Sequence, residues 1–169
     1  TGVANPCGKL SETVPLCYEA VSSAPYYPGL EATSEYREGL YVGYRYFDTA
    51  GKEVKYPFGF GLSYTSFEYS GLEIHEDCVT FRVRNTGSVS GEEIAQLYIH
   101  PKTGGMFRPE QELKGFAKVA LNPGEEREVQ IPLCDRSFAV WSIRENNWVI
   151  ESGSYELRIG ASSRDIRLT

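Results

Sequence analysis

Histidine is almost missing from this chain. His75 and His100 are the only two among 169 residues. Each sits near the end of a strand pattern among polar neighbours, and no His/Cys/carboxylate spacing resembles a zinc or iron site. No metal or other cofactor is therefore expected. Paired cysteine spacing is missing too. Cys7, Cys17, Cys78 and Cys134 are dispersed, and a chain of this size does not need disulfide staples. Four free thiols are expected, with a lean towards a reducing, cytoplasmic compartment and secretion left open. No cysteine has the neighbours that a thiol nucleophile needs. No apolar run approaches the roughly 20 residues that span a bilayer. A basic run is also absent, and the formal charge is −6 with both signs interspersed. Nucleic acid and anionic membrane are thereby set aside as partners. The opening Thr1-Gly-Val-Ala-Asn-Pro6 lacks the basic and apolar parts of a signal peptide. Without an initial Met, the chain reads as a processed product or a piece of something longer.

Helical periodicity is scarce, and strand periodicity takes its place. From about Phe67 onward, apolar and polar residues alternate. Val79, Phe81 and Val83 alternate with Thr80, Arg82 and Arg84, and Ala95, Leu97 and Ile99 with Gln96, Tyr98 and His100. The same holds for Val129, Ile131 and Leu133, and for Tyr155, Leu157 and Ile159. A period of two predicts strands with one buried face. Asn85-Thr-Gly87, Gly104-Gly105, Asn122-Pro-Gly124 and Ser152-Gly153 supply the turn chemistry between them. With Phe67–Ile74, Leu113–Leu121 and Asp165–Leu168, about seven short strands result, which indicates a β-sandwich. One helical turn is expected near Asp135–Phe138, with Asp135 as its cap.

Residues 1–66 are different. Pro6, Pro15, Pro25 and Pro28 punctuate a stretch with little periodicity. Ten of the twelve tyrosines lie at or before Tyr69. Leu40–Asp48 and Val54–Phe58 are expected to pair as a hairpin across Thr49-Ala-Gly51. This extension cannot bury a core alone and must pack on something. Its tyrosines, Tyr26, Tyr27, Tyr36, Tyr41, Tyr44 and Tyr46, could stack on sugar rings. The reading with more weight is that they glue the extension to its neighbour.

The densest feature is Tyr56-Pro-Phe-Gly-Phe-Gly-Leu-Ser-Tyr64. Proline fixes one dihedral and glycine opens conformations closed to other residues. The stretch reads as a structural junction. Pro57, Gly59 and Gly61 shape it, while Phe58, Phe60 and Tyr64 lock it against the first strands that follow. Gly59-Phe-Gly61 is not a phosphate loop, because a third glycine, a following helix and a P-loop lysine are all lacking. No two carboxylates stand out as a glycosidase pair. Glu92, Glu93, Glu125, Glu126, Glu156 and Asp165 fall on outward strand positions or in turns.

The run Tyr36-Arg-Glu-Gly-Leu-Tyr-Val-Gly-Tyr-Arg-Tyr-Phe-Asp48, followed by Tyr56-Pro-Phe-Gly-Phe-Gly-Leu-Ser-Tyr-Thr-Ser-Phe67, resembles glycoside hydrolase family 3, which includes β-glucosidases and β-xylosidases. Asn5–Pro15 resembles the closing segment of that family's α/β sandwich domain, where a Ser commonly stands at Cys7. Arg108-Pro-Glu-Gln-Glu-Leu-Lys-Gly-Phe116, Leu121-Asn-Pro-Gly-Glu125 and Trp148 through Ile166 resemble its fibronectin type III-like domain. The resemblance covers nearly the whole chain.

It implies a mainly β chain. Residues 1–66 would be the tail of the α/β domain and a linker containing the hairpin. Residues 67–169 would form a fibronectin type III-like, immunoglobulin-like sandwich. The family's reaction is retaining hydrolysis of terminal β-glycosides. Its aspartate nucleophile comes from a (β/α)₈ barrel and its acid/base glutamate usually from the α/β domain. No residue here matches either motif, and the substrate-binding Lys-His signature is missing, so no catalytic residue carries over. The chain alone is expected to be inactive and accessory. Its partners would be the missing catalytic domains, in the same or a separate chain, and it would meet carbohydrate only through that parent. Met106 and Phe107, in the loop Pro101–Glu112, are the candidates to reach the parent's active-site entrance. A free-standing carbohydrate-binding module and an interaction module docking a separate catalytic chain are the alternatives.

Overall fold

The structure is a computed structural model that describes residues 2–29, 32–33 and 35–169. Seven strands build two facing antiparallel sheets. One sheet holds β3 (Phe67–Ile74), β4 (Cys78–Asn85) and β7 (Glu126–Pro132), with β4 central. The other runs β11 (Asp165–Leu168), β10 (Tyr155–Ser162), β5 (Gly91–Pro101), β6 (Glu112–Leu121). Both sheets turn one face of alternating residues inward, as the period of two requires. Val79, Phe81 and Val83 meet Leu97, Ile99, Ile159, Val129 and Ile131 in one core. Each such side chain, once buried, contributes about 1.5–3 kcal/mol of hydrophobic stabilisation. Gly115 lets the sheets approach, since a Cβ there would lie 2.5 Å from Ile131 Cγ2. The β6–β7 turn uses Gly124 at φ +76°, a conformation that glycine adopts without strain.

The seven strands coincide with the sequence pattern. The remaining elements include three corrections. First, the expected hairpin of Leu40–Asp48 with Val54–Phe58 does not form. Tyr44–Thr49 is instead a short helix, α1. β2 (Val54–Tyr56) pairs with β1 (Val14–Pro15), far upstream. The buried side chains of α1 are Tyr44 and Phe47, three residues apart, which puts both on one helical face.

Second, the turn at Asp135–Phe138 is helical (α2), but Asp135 is not its cap. Cys134 holds that position in extended backbone, and its N–H donates to Ser137 Oγ at 3.2 Å. Third, Val140–Ser142 and Asn147–Val149 form a small two-stranded hairpin, β8–β9, that the alternation did not reveal. Its turn places Asn146 at positive φ, 47°, where asparagine is tolerated.

Among the described residues of 18–43, the helical elements are two short 3₁₀ turns, Tyr18–Ala20 and Ala24–Tyr26, with no buried residue. All four cysteines are free. Among the described residues, no helix is long and apolar enough to cross a membrane, and no three His, Cys, Asp or Glu gather as a metal site.

Candidate functional site

The junction Tyr56–Tyr64 is tied on several sides. Phe60 N–H donates to Pro57 O at 3.2 Å, closing a turn at Phe58-Gly59. Gly59 holds φ +80° there. Gly59 N–H donates to Leu10 O and Leu10 N–H to Phe60 O, both at 2.8 Å. Ser163 N–H, at the β10–β11 turn, donates to Phe58 O at 2.9 Å. The Phe58 ring stacks on Tyr44 of α1, with centroids 4.7 Å apart, and Tyr44 meets Tyr98 of β5 edge-on at 6.0 Å. Phe60 packs on Tyr56 at 5.0 Å.

Under the junction lies a satisfied polar pair. Gln96 Nε2 donates to Ala161 O at 2.8 Å and to Gly59 O at 3.2 Å, while Tyr98 O–H donates to Gln96 Oε1 at 2.6 Å. Burial pushes the Tyr98 phenol far above its ordinary value, so it stays protonated and able to donate. A side chain on Gly59 would collide with the Gln96 carboxamide. One on Gly61 would come within 2.5 Å of Gly8 O.

The structure therefore brings Pro57, Phe58, Gly59, Phe60 and Gly61 together, but against α1, β5 and the β10–β11 turn rather than the first strands after them. Tyr64 does not join the lock. Its N–H donates to Asn5 Oδ1 at 2.8 Å, and its ring stays 60% exposed.

Met106 and Phe107 sit at the outer end of the β5–β6 loop, and Phe107 is 80% exposed. The loop carrying them is held at its base. Gly105 and Met106 N–H groups both donate to Glu151 Oε1 at 2.9 Å. Lys102 N–H donates to Ser154 O at 2.9 Å, and buried Arg108 donates to Glu112 Oε2 at 3.0 Å. Phe107 touches the extension through Tyr41, at a centroid distance of 5.2 Å.

Beside this loop lies a groove of about 520 Å³, walled by Leu40 and Arg45 of the extension, Glu112 and Lys114 of β6, Arg136 of α2 and the β8–β9 hairpin. Trp141 and Trp148 meet edge-on there at 5.6 Å, and the Arg136 guanidinium lies 3.1 Å from the Trp148 ring centroid. Glu112 pairs with both Arg108 (3.0 Å) and Lys114 (3.4 Å). Burial opposes its ionisation, yet Lys114, Arg108 and Arg45 together hold it below the usual carboxylate range. At the start of α2, hydrogen bonds from Ser137 and from the backbone of Ser137 and Arg136 lower the Cys134 thiol.

Sequence reasoning missed Gln96, Tyr98 and the two tryptophans. Gln96 and Tyr98 occupy the outward positions of β5, yet both are buried because the junction covers that face. The signal was a tyrosine and a glutamine on a long central strand. The sequence pattern places Asn85 in a turn. It ends β4 fully buried, donating to Val89 O and Leu121 O and accepting from Thr65 Oγ1 and Gly87 N. Of the candidate tyrosines, Tyr44 docks on the sandwich, while Tyr26, Tyr27 and Tyr36 are exposed.

A fibronectin type III-like domain family matches residues 93–163. The chain is 46% identical, over 99% of its length, to a thermostable beta-glucosidase B of Acetivibrio thermocellus, of which it covers 23%. It is 44% identical to an exo-alpha-(1->6)-L-arabinopyranosidase of Bifidobacterium breve, again covering 23% of that protein. Among solved structures, a GH3 beta-glucosidase of Bifidobacterium adolescentis superposes with a TM-score of 0.94 at 43% identity, over 99% of this chain and 26% of that one. Beta-glucosidase 3B of Thermotoga neapolitana, in complex with glucose, gives 0.88 at 46% identity, over 99% and 24%. The chain thus spans about a quarter of the length of these relatives.

Proposed function

The chain belongs with the family 3 glycoside hydrolases, whose fibronectin type III-like segment it carries, and from that premise we propose that it is the non-catalytic scaffold of a larger enzyme that hydrolyses terminal β-glycosides with retention. The observation that carries this reading is the match along 99% of the chain that spans only 23% of its relative. Residues 1–66 are assigned as the tail of an α/β domain and its linker, and residues 67–169 as the sandwich that holds them. The junction Pro57–Gly61 is the clamp between the two. Met106 and Phe107, on a loop anchored by Glu151, extend towards the catalytic part.

Several carboxylates of the sandwich are held by cations, which supports an accessory role. Glu112 is held by Arg108 and Lys114, Glu110 by Arg158, and Glu156 by Lys102 and Arg158. A carboxylate neutralised by a cation is a poor general acid at neutral pH, because its proton is already lost. The test is to incubate the purified 169-residue chain with an aryl β-glucoside. The expected result is no phenol release above the buffer rate, and turnover by the chain alone would overturn the proposal.

A further inference from the structure

We propose that the groove walled by the β8–β9 hairpin is the seat of the enzyme's remaining domains, which fill it with apolar side chains and at least one carboxylate. This rests on the reading above. Three observations point to that occupant rather than another.

The first is the patch itself. Trp141 is 43% exposed, Trp148 41% and Ile143 90%, and Leu40 lines the same groove. Contiguous apolar surface of this kind marks a contact site. Exposed tryptophan and arginine are the residues most enriched where interfaces concentrate their energy.

The second is tethering. Leu40 and Arg45 wall the groove and belong to the 1–66 stretch assigned to that missing body, and residues 18–43 bury no side chain in their two 3₁₀ turns. About three quarters of the relatives' length lies outside this chain. The stretch assigned to that body thus already forms part of the groove's rim, and a body packed on Leu40 and Arg45 would meet the groove.

The third is charge. The chain carries −6 overall, yet the groove is lined by Arg45, Lys114 and Arg136 against Glu112 alone. Glu112 is already shared by Arg108 and Lys114. Arg45 and Arg136 form no ion pair among the described residues. A docked surface bearing a carboxylate would complete them, whereas an uncharged one would desolvate two cations without compensation.

The test is a full-length chimaera in which this chain replaces the matching segment of the Acetivibrio thermocellus enzyme. Hydroxyl-radical footprinting with mass spectrometry would compare it with the free 169-residue chain. Trp141 and Trp148 are expected to oxidise several-fold more slowly in the chimaera. Ile74, exposed on edge strand β3 of the other sheet, should label equally in both. Arg136→Glu together with Lys114→Glu should restore labelling of the tryptophans. An active chimaera whose tryptophans label as in the free chain overturns the docking face and leaves the enzyme reading standing. A chimaera that does not fold while the free chain does also counts against it, since the face then fails to fit. Dimerisation of the free chain with protected tryptophans, seen by sedimentation, would assign the groove to a second copy. Quenching of their fluorescence by cello-oligosaccharides would assign it to sugar. Either result overturns the proposal.

Discussion

Gly59 shows how much one missing side chain can position. At φ +80°, with the Gln96 carboxamide where a Cβ would stand, it needs glycine for two independent reasons. Gly59→Ala should both strain the turn and push Gln96 off Ala161 O and Tyr98. A loss of about 2–4 kcal/mol is expected, combining backbone strain with a broken buried hydrogen-bond network. Urea unfolding followed by far-UV circular dichroism would measure it. Gly61 differs, because its φ is ordinary and its obstacle is Gly8 O of the extension. Gly61→Val should therefore loosen residues 8–10 more than it destabilises the sandwich. Protease protection that falls equally for both parts would count against this. That glycines matter here was legible in the sequence. Which atoms they admit was not, because Gln96 is 37 residues away along the chain.

At the scale of elements, β5 carries the clearest divergence between pattern and structure. Its alternation is sound, but residues 95–99 are buried on both faces, since α1 and the junction cover the side that faces solvent in an isolated sandwich. At the start of β10, before β11 pairs with it, the same sheet holds an ion-pair ladder. Glu156 on β10 contacts Lys102 at 2.8 Å and Arg158 at 2.6 Å. These cations lower its carboxyl to about 2, with Lys102 the larger influence. A depressed carboxyl stabilises the fold fully above its unfolded pKa and loses that contribution as pH falls towards the folded value. Stability should thus decline between about pH 5 and 2. Glu112, Glu125 and Asp165, also held low by cations and hydrogen bonds, should add to the decline. Glu156→Gln should flatten part of this slope and lower stability at neutral pH by the same small amount, because the pair is solvent-screened. Thermal melts across that range would check it. An unchanged slope would remove Glu156 from the account. The small elements escaped sequence reasoning for a plain reason: β8 and β9 are three residues each, too short for any period to register.

On the scale of the whole molecule, a well-packed sandwich carries a loosely packed extension. None of the described residues of 18–43 is buried, while α1 and the junction are pinned by Tyr44, Phe47 and Arg164, whose guanidinium reaches Asp48 at 2.8 Å and Lys52 O at 2.7 Å. Limited trypsinolysis should cut first after Arg37 and leave a resistant fragment beginning at Glu38, as mass spectrometry would show. Early cleavage within β5 or β10 would contradict that hierarchy. The sequence by itself determined the sandwich, its seven strands and the family resemblance. Those rest on local alternation, turn residues and contiguous motifs, all written in neighbouring positions. Only the tertiary structure decided that Tyr44–Thr49 coils instead of pairing, that β2 joins β1 across some forty residues, that the junction grips β5 rather than β3, and that two tryptophans face a cationic groove. Each of these depends on which distant surface offers burial and hydrogen-bond partners, and periodicity along the chain carries no record of that.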